Sequence, residues 1–251
     1  VSNGNGFAID GYYPFWSLLA DRFDLIIFDV RNHGWNPPAG EEGHTYPQFV
    51  RDISTIHHEI TQHLGPRPSV GVFHSMSARA AMKHAVEVRW VWDGLVLYDP
   101  PSLPPEGHDL YEPMCKFEYA LVNWAGGRRN RYGEPSELAA EYAALRAHAD
   151  WVEGAHQLMA EAVLHQEPAT GDWVLSCRRE LEAAIYLAAI TLNLWPNAAE
   201  MGGPIKLVGA DPETPHPAPT AAANQALARE GGYDYAAVPG TRHLLQIQKP
   251  A

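Results

Sequence analysis

Ser69-Val70-Gly71-Val72-Phe73-His74-Ser75-Met76-Ser77-Ala78-Arg79-Ala80-Ala81 changes character in its middle. Val70 to Phe73 is an apolar run of β type, and from Met76 onward small residues suited to a helix take over. His74-Ser75 must therefore turn the chain sharply. A serine at such a strand, turn and helix junction projects its hydroxyl from the end of the sheet. Neighbouring backbone N–H groups there open toward the positive end of the incoming helix. Ser75 is thus a candidate nucleophile. The other use of a serine at this point is to cap the helix that begins near Met76.

The chain around this junction has 251 residues, 46% of them hydrophobic and 19% charged, enough to bury a large core as one α/β domain with an inserted subdomain. Its net charge of -12 argues against a nucleic-acid or anionic-membrane surface, because Lys and Arg are too few to neutralise a run of phosphates. A small-molecule or protein partner fits better, and a homodimer is compatible with the composition. Cys115 and Cys177 have no metal or redox spacing, which suits a reducing cytoplasm and still allows one disulfide elsewhere. No apolar run is long enough to span a bilayer and no signal-peptide pattern is visible. The chain opens on Val1, which leaves room for a leader or further N-terminal strands.

Outward from the junction, segment patterns alternate. Tyr12 to Ala20 can form a short helix, Leu25 to Val30 is apolar and strand-length, and Thr45 to Leu64 reads as a helix stopped by Gly65-Pro66. Downstream, helix is expected to Arg89 and a buried strand from Asp93 to Tyr98, ending in Asp99-Pro100-Pro101. The alternation predicts a mainly parallel sheet with helices on both faces. It breaks from about Pro100 to Pro204, where mainly helical patterns prevail: Pro135 to His148, a segment opening at Asp150 with Glu153 in capping-box spacing, and Cys177 to Leu194. Strand and helix then return in Ile205 to Gly209, Thr220 to Glu230 and Tyr233 to Val238. This divides the chain into a core of residues 1–99 and 205–251 and an insertion of residues 100–204.

The helix over 45–64 carries His57, His58, Glu59 and His63, but no zinc motif. His58 and His63 are five residues apart, about 140° around the helix axis, whereas a His-Glu-x-x-His pair shares one face. No metal is expected there, and His108, His148, His156 and His165 have no metal spacing either.

His74-Ser75-Met76 resembles the nucleophile elbow of the α/β-hydrolase family, Gly-x-Ser-x-Gly and often Gly-His-Ser-Met-Gly. Phe73 and Ser77 replace the two glycines, and the bulk of Phe73 requires either a wider elbow or a gap for its ring. Asp29-Val30-Arg31-Asn32-His33-Gly34 is similar to the family's Asp-x-Arg-Gly-x-Gly turn, with Asn32 at a glycine position. Asn3-Gly4-Asn5-Gly6 is similar to its His-Gly-x-Gly loop, with Asn3 for the histidine. On this match the backbone N–H groups of Asn5 and Met76 would form the oxyanion hole. The resemblance also implies that the 100–204 insertion is a helical cap over Ser75. The closing Gly240-Thr241-Arg242-His243 matches the family's Gly-x-x-His, making His243 the base. Asp211, after the strand at 205–209, is the preferred acid, with Asp99 and Glu213 as rivals. The order Ser75, Asp211, His243 is the one this fold uses.

The resemblance implies a serine hydrolase that needs no cofactor and acts on a small carboxylic ester through an acyl-serine intermediate. Aromatic residues of the insertion, Tyr111, Phe117, Tyr119, Trp124, Tyr132, Trp151, Trp173, Tyr186 and Trp195, point to an apolar or aryl pocket. Acyl transfer, C–C bond hydrolysis or cyanohydrin cleavage on the same triad, and ligand binding without catalysis, remain alternatives.

Overall fold

The computed structural model describes residues 1–251. A single helical turn, α1 (Tyr13–Trp16), precedes α2 (Tyr46–Leu64), which starts where the Thr45 hydroxyl accepts the Gln48 N–H and stops at Gly65, whose φ of 75° no helix accommodates. The quoted stretch forms β1 (Val70–His74) and α3 (Met76–Glu87), followed by β2 (Gly94–Tyr98). Next come α4 (Tyr111–Gly127), β3 (Arg131–Tyr132), α5 (Pro135–Ala144), α6 (Ala155–Val163), β4 (Leu164–Gln166), β5 (Trp173–Leu175), α7 (Arg179–Ala189) and α8 (Ala198–Met201). The chain closes through β6 (Ile205–Ala210), α9 (Pro219–Gly231), β7 (Asp234–Val238) and α10 (Leu245–Gln248).

The main sheet runs β1-β2-β6-β7 with every pair parallel, so each crossover passes through helix. This is the expected parallel α/β architecture. β2 and β6 are neighbours although about a hundred residues separate them. The 100–204 segment leaves and re-enters the sheet between these two adjacent strands.

Two local expectations are corrected. Leu25 to Val30 contributes only an isolated parallel bridge, Phe28 to Ser2, rather than a strand. Among its helices the 100–204 segment also holds β3, β5 and β4, which form a small antiparallel sheet. No helix starts at Asp150. Instead α6 begins after Gly154 in the left-handed region, and it is at α8 that a Glu carboxylate, that of Glu200, accepts the N–H of the residue three before it, Asn197.

Two hydrophobic clusters form the interior. One packs α2, α3, β1, β2 and β6 with Ile185, Ala189, Leu194 and Met201 from the 100–204 segment. The other joins Phe7, Ile9 and Tyr12 to Tyr142, Trp151, Met159 and Leu164, and also to Leu244 and Ile247 near the end of the sequence. Both cores draw on both sides of the 99/100 boundary.

Candidate active site

At the junction of β1 and α3, Ser75 has φ 54° and ψ -116°, a conformation that costs a non-glycine residue about 1–3 kcal/mol. The surroundings hold it there. Its N–H donates to the Tyr98 carbonyl at 2.9 Å and its carbonyl accepts the Arg79 N–H at 3.0 Å. Ser77 closes the turn, accepting the His74 N–H at 3.1 Å and donating to the His74 carbonyl at 3.0 Å. The Phe73 ring finds its gap over Gly71, two residues earlier on the same strand face. A Cβ at position 71 would stand 2.6 Å from the ring. Ser75 makes no capping bond to α3, so its hydroxyl is available for other chemistry.

That hydroxyl lies 2.9 Å from Nε2 of His243, which the loop between β7 and α10 delivers. The other ring nitrogen, Nδ1, lies 2.6 Å from Oδ2 of Asp99. Asp99 is wholly buried at the end of β2, with a φ of 41°. Its carboxylate also accepts the Ala210 N–H at 3.0 Å, the Thr220 hydroxyl at 2.7 Å and an Asn224 amide N–H at 2.9 Å. Burial alone would raise its pKa. The hydrogen bond and charge of His243, with the Ala210 and Thr220 donors, outweigh that and hold the group below the ordinary Asp value.

The acid against His243 is therefore Asp99, and the preference for Asp211 is corrected. After β6 the chain folds Asp211 back on its own turn, where its carboxylate accepts the N–H of Gly240 at 2.7 Å and of Glu213 at 2.9 Å. Its own N–H donates to the Thr241 carbonyl at 3.2 Å. Asp211 thus fastens the loop that carries His243. Glu213 is exposed and enters this arrangement only through its backbone. The signal for Asp99 lay in Thr220 and Asn224, one helical turn apart on α9 and both aimed at a buried carboxylate.

The Asn3-to-Gly6 loop runs beside Ser75, so close that a Cβ on Gly4 would stand 3.1 Å from the serine Cβ. Asn3, in place of the expected histidine, holds the loop's shape: its amide donates to the carbonyls of Phe7 at 2.6 Å and Gly4 at 3.1 Å and accepts the Val30 N–H at 3.0 Å. The backbone N–H of Asn5 has no acceptor within the protein. That of Met76 belongs to the first residue of α3, where no helical acceptor exists. The Asn5 side chain donates to the Glu182 carbonyl at 2.9 Å. A Cβ on Gly6 would stand 2.2 Å from the Glu182 carboxylate, so α7 presses directly on this loop. Glu182 is buried and paired with Arg128 at 2.5 Å. Burial pushes its carboxyl upward and the guanidinium offsets part of the rise.

His74 joins the two halves of the site, a role sequence reasoning missed. Its Nε2 lies 2.9 Å from the His243 carbonyl, which can only accept, so Nε2 carries the proton. Nδ1 then accepts from the Tyr12 hydroxyl at 2.8 Å, and the Tyr12 oxygen accepts the Gly4 N–H at 3.3 Å. Burial lowers the His74 pKa to about 3 and keeps the imidazole neutral.

A cavity of about 450 Å³ opens over Ser75 and His243. Phe7, Phe117, Leu121 and Trp124 make much of it apolar; of the aromatic residues singled out in the 100–204 segment, Phe117, Trp124 and Tyr186 line it. Tyr132 and Trp151 pack in the second core cluster instead. Nowhere do three His, Cys, Asp or Glu side chains gather as metal ligands, His57 packs edge-on against Trp92, and both cysteines are buried free thiols. No helix is long and apolar enough to cross a membrane.

No curated protein matches the chain by sequence. Among solved structures it is similar to E-2-(acetamidomethylene)succinate hydrolase, at 19% identity and a TM-score of 0.76, over 99% of this chain and 85% of that one. It is also similar to the thioesterase domain from the curacin biosynthetic pathway, at 15% identity, TM-score 0.69, covering 99% and 86% of the two chains. A thermophilic esterase from Thermogutta terrifontis matches at 18% identity, TM-score 0.61, covering 99% and 83%. At such identities these likenesses establish the fold. The model of the alpha/beta hydrolase family matches residues 2–251, nearly every residue described above, and the chain belongs to that family.

Proposed function

We propose that this protein is a serine hydrolase that cleaves a carboxylic ester of a small substrate with an apolar or aryl part. The observation that carries the reading is the contact series from Ser75 Oγ to His243 at 2.9 Å and from His243 to Asp99 at 2.6 Å. A serine hydroxyl is a weak nucleophile until a base takes its proton during attack. His243 is that base. Asp99 accepts the Nδ1 proton, which keeps Nε2 free for the serine, and its negative charge stabilises the imidazolium that forms. The N–H groups of Asn5 and Met76 receive the oxyanion of the tetrahedral intermediate, each such donor contributing about 3 kcal/mol in the transition state.

Collapse of that intermediate expels the alcohol, protonated by His243, and leaves acyl-Ser75. Water, deprotonated by the same histidine, then attacks the acyl carbon and releases the acid. The esterase and thioesterase names among the structural neighbours agree with an acyl substrate.

Intact-mass analysis after a fluorophosphonate probe tests the reading. One adduct is expected on the wild type and none on Ser75→Ala or His243→Ala, each of which also loses ester hydrolysis. A folded wild type that takes up no probe and hydrolyses no small ester sinks the proposal.

A further inference from the structure

The cavity over Ser75 has a charge that the rest of the molecule does not. Of the 17 residues that line it none is Asp or Glu, although the chain as a whole carries -12, and two are arginines, Arg146 and Arg242. Arg146 lies in the short 3-10 turn after α5, is exposed, and its guanidinium has no acceptor anywhere in the protein. Arg242 directly precedes His243. One of its nitrogens, Nη1, donates to the Arg146 carbonyl and lies 3.4 Å from the Asp150 carboxylate, while Nε and Nη2 have no acceptor. A surface arginine without a partner is ordinary. Here Arg146 stands unpartnered beside Arg242, only one nitrogen of which meets a carboxylate, on the wall of a cavity lined by no Asp or Glu, which leaves a local positive field.

Two buried polar atoms on the same wall also lack protein partners, and of these only His148 Nδ1 can donate to an anion, the Asn5 oxygen being an acceptor. His148, 6% exposed, has no partner for Nδ1, and Asn5, 2% exposed, none for its amide oxygen. The His148 pKa is lowered to about 3 by burial, so the ring is neutral, adding a polar group and no charge. Unsatisfied buried polar atoms around a cavity are costly unless a ligand completes them.

We infer that the substrate of the hydrolase proposed above bears a carboxylate, which Arg146 and Arg242 hold while the scissile acyl group lies at Ser75. This rests on that hydrolase reading and adds to it the charge of the substrate. A planar guanidinium matches a carboxylate bidentately, and such charge-assisted bonds are the strong ones. The apolar wall of Phe117, Leu121 and Trp124 takes the carbon skeleton, so the substrate is amphipathic.

Two matched pairs of esters test it, one with the charge on the acyl side and one with it on the alcohol side. They are mono-(4-nitrophenyl) adipate against its methyl ester, and 4-acetoxybenzoate against its methyl ester. In at least one pair the wild type is expected to show the higher kcat/KM for the charged member. Arg146→Gln should reduce that charged-to-neutral ratio about tenfold or more, chiefly through KM, with partial recovery in Arg146→Lys. Arg146 is exposed and remote from the folding core, and uptake of the fluorophosphonate by Ser75 in the variant certifies its site. Neutral members preferred in both pairs, or a ratio that Arg146→Gln leaves unmoved, overturns the inference while leaving the hydrolase reading intact. Labelling at Ser75 without hydrolysis of either charged ester also overturns the inference, whereas a folded wild type that neither labels at Ser75 nor hydrolyses any of the four esters overturns the hydrolase reading itself.

Discussion

Asp99 and Asp211 both follow a strand of the parallel sheet, and only their hydrogen bonds separate their roles. Asp99 fixes the tautomer of His243, so Asp99→Asn should lower kcat by about 10⁴-fold with the fold retained, since an amide can donate to Nδ1 and present Nε2 in the wrong state. Asp211→Asn keeps an oxygen for only one of the two loop N–H groups its carboxylate accepts and should lower kcat by about tenfold or less, far short of Asp99→Asn. Steady-state kinetics on one ester decide between them, and the reverse ranking would restore Asp211 as the acid. At the elbow the two residues that replace glycines are each accommodated by a neighbour. Ser77 bonds both backbone groups of His74, and Phe73 lies over Gly71.

That second accommodation makes β1 intolerant at a position remote from the chemistry. A methyl group at residue 71 would meet the Phe73 ring at 2.6 Å and the Leu95 side chain at 2.7 Å. Gly71→Ala is expected to cost about 1–3 kcal/mol in urea unfolding, and adding Phe73→Leu should return part of the loss through their coupling. Strands and helices whose signal is local were legible from sequence: β1, α3, β2, β6, α9 and β7 fall within two residues of their expected limits. Ser75 at the end of β1 and His243 in the loop after β7, singled out from their motifs, lie 2.9 Å apart. The acid was not legible, because choosing it requires knowing that β2 lies between β1 and β6, and no local pattern records sheet order. Leu25 to Val30 shows the same limit, an apolar run whose pairing depends on a partner distant in sequence. His74 matched a motif letter, yet its bond to the His243 carbonyl joins residues 169 apart.

Across the whole molecule, buried histidines set the response to acid. Burial lowers the pKa of His33 to about 4 and of His44, His74 and His148 to about 3, while in the unfolded chain each protonates near 6.5. Below 6.5 the unfolded state binds more protons than the folded one, so stability falls as pH falls. Each group contributes up to about 1.4 kcal/mol per pH unit, roughly 5 kcal/mol for the four, against a total of about 5–15 kcal/mol. Asp29, raised to about 6 by burial, works with the opposite sign from pH 6 downward, and the raised Glu118 and Glu182 do the same. Four histidines outweigh these carboxylates, so stability is expected to fall from about pH 6.5 downward, more steeply below pH 6 as the unfolded-state imidazoles finish protonating. Urea midpoints measured across pH 7.5 to 5 check this, and a flat profile would contradict it.

The second hydrophobic cluster has a consequence for biosynthesis. Phe7, Ile9 and Tyr12 are made more than two hundred residues before Leu244 and Ile247, which pack in the same cluster. On the ribosome the early residues cannot complete their burial, and the apolar surface they share with α5 and α6 stays open to solvent throughout elongation. The nascent chain thus presents a long-lived ligand for holdase chaperones, and its yield in a cell depends on how well that interval is guarded.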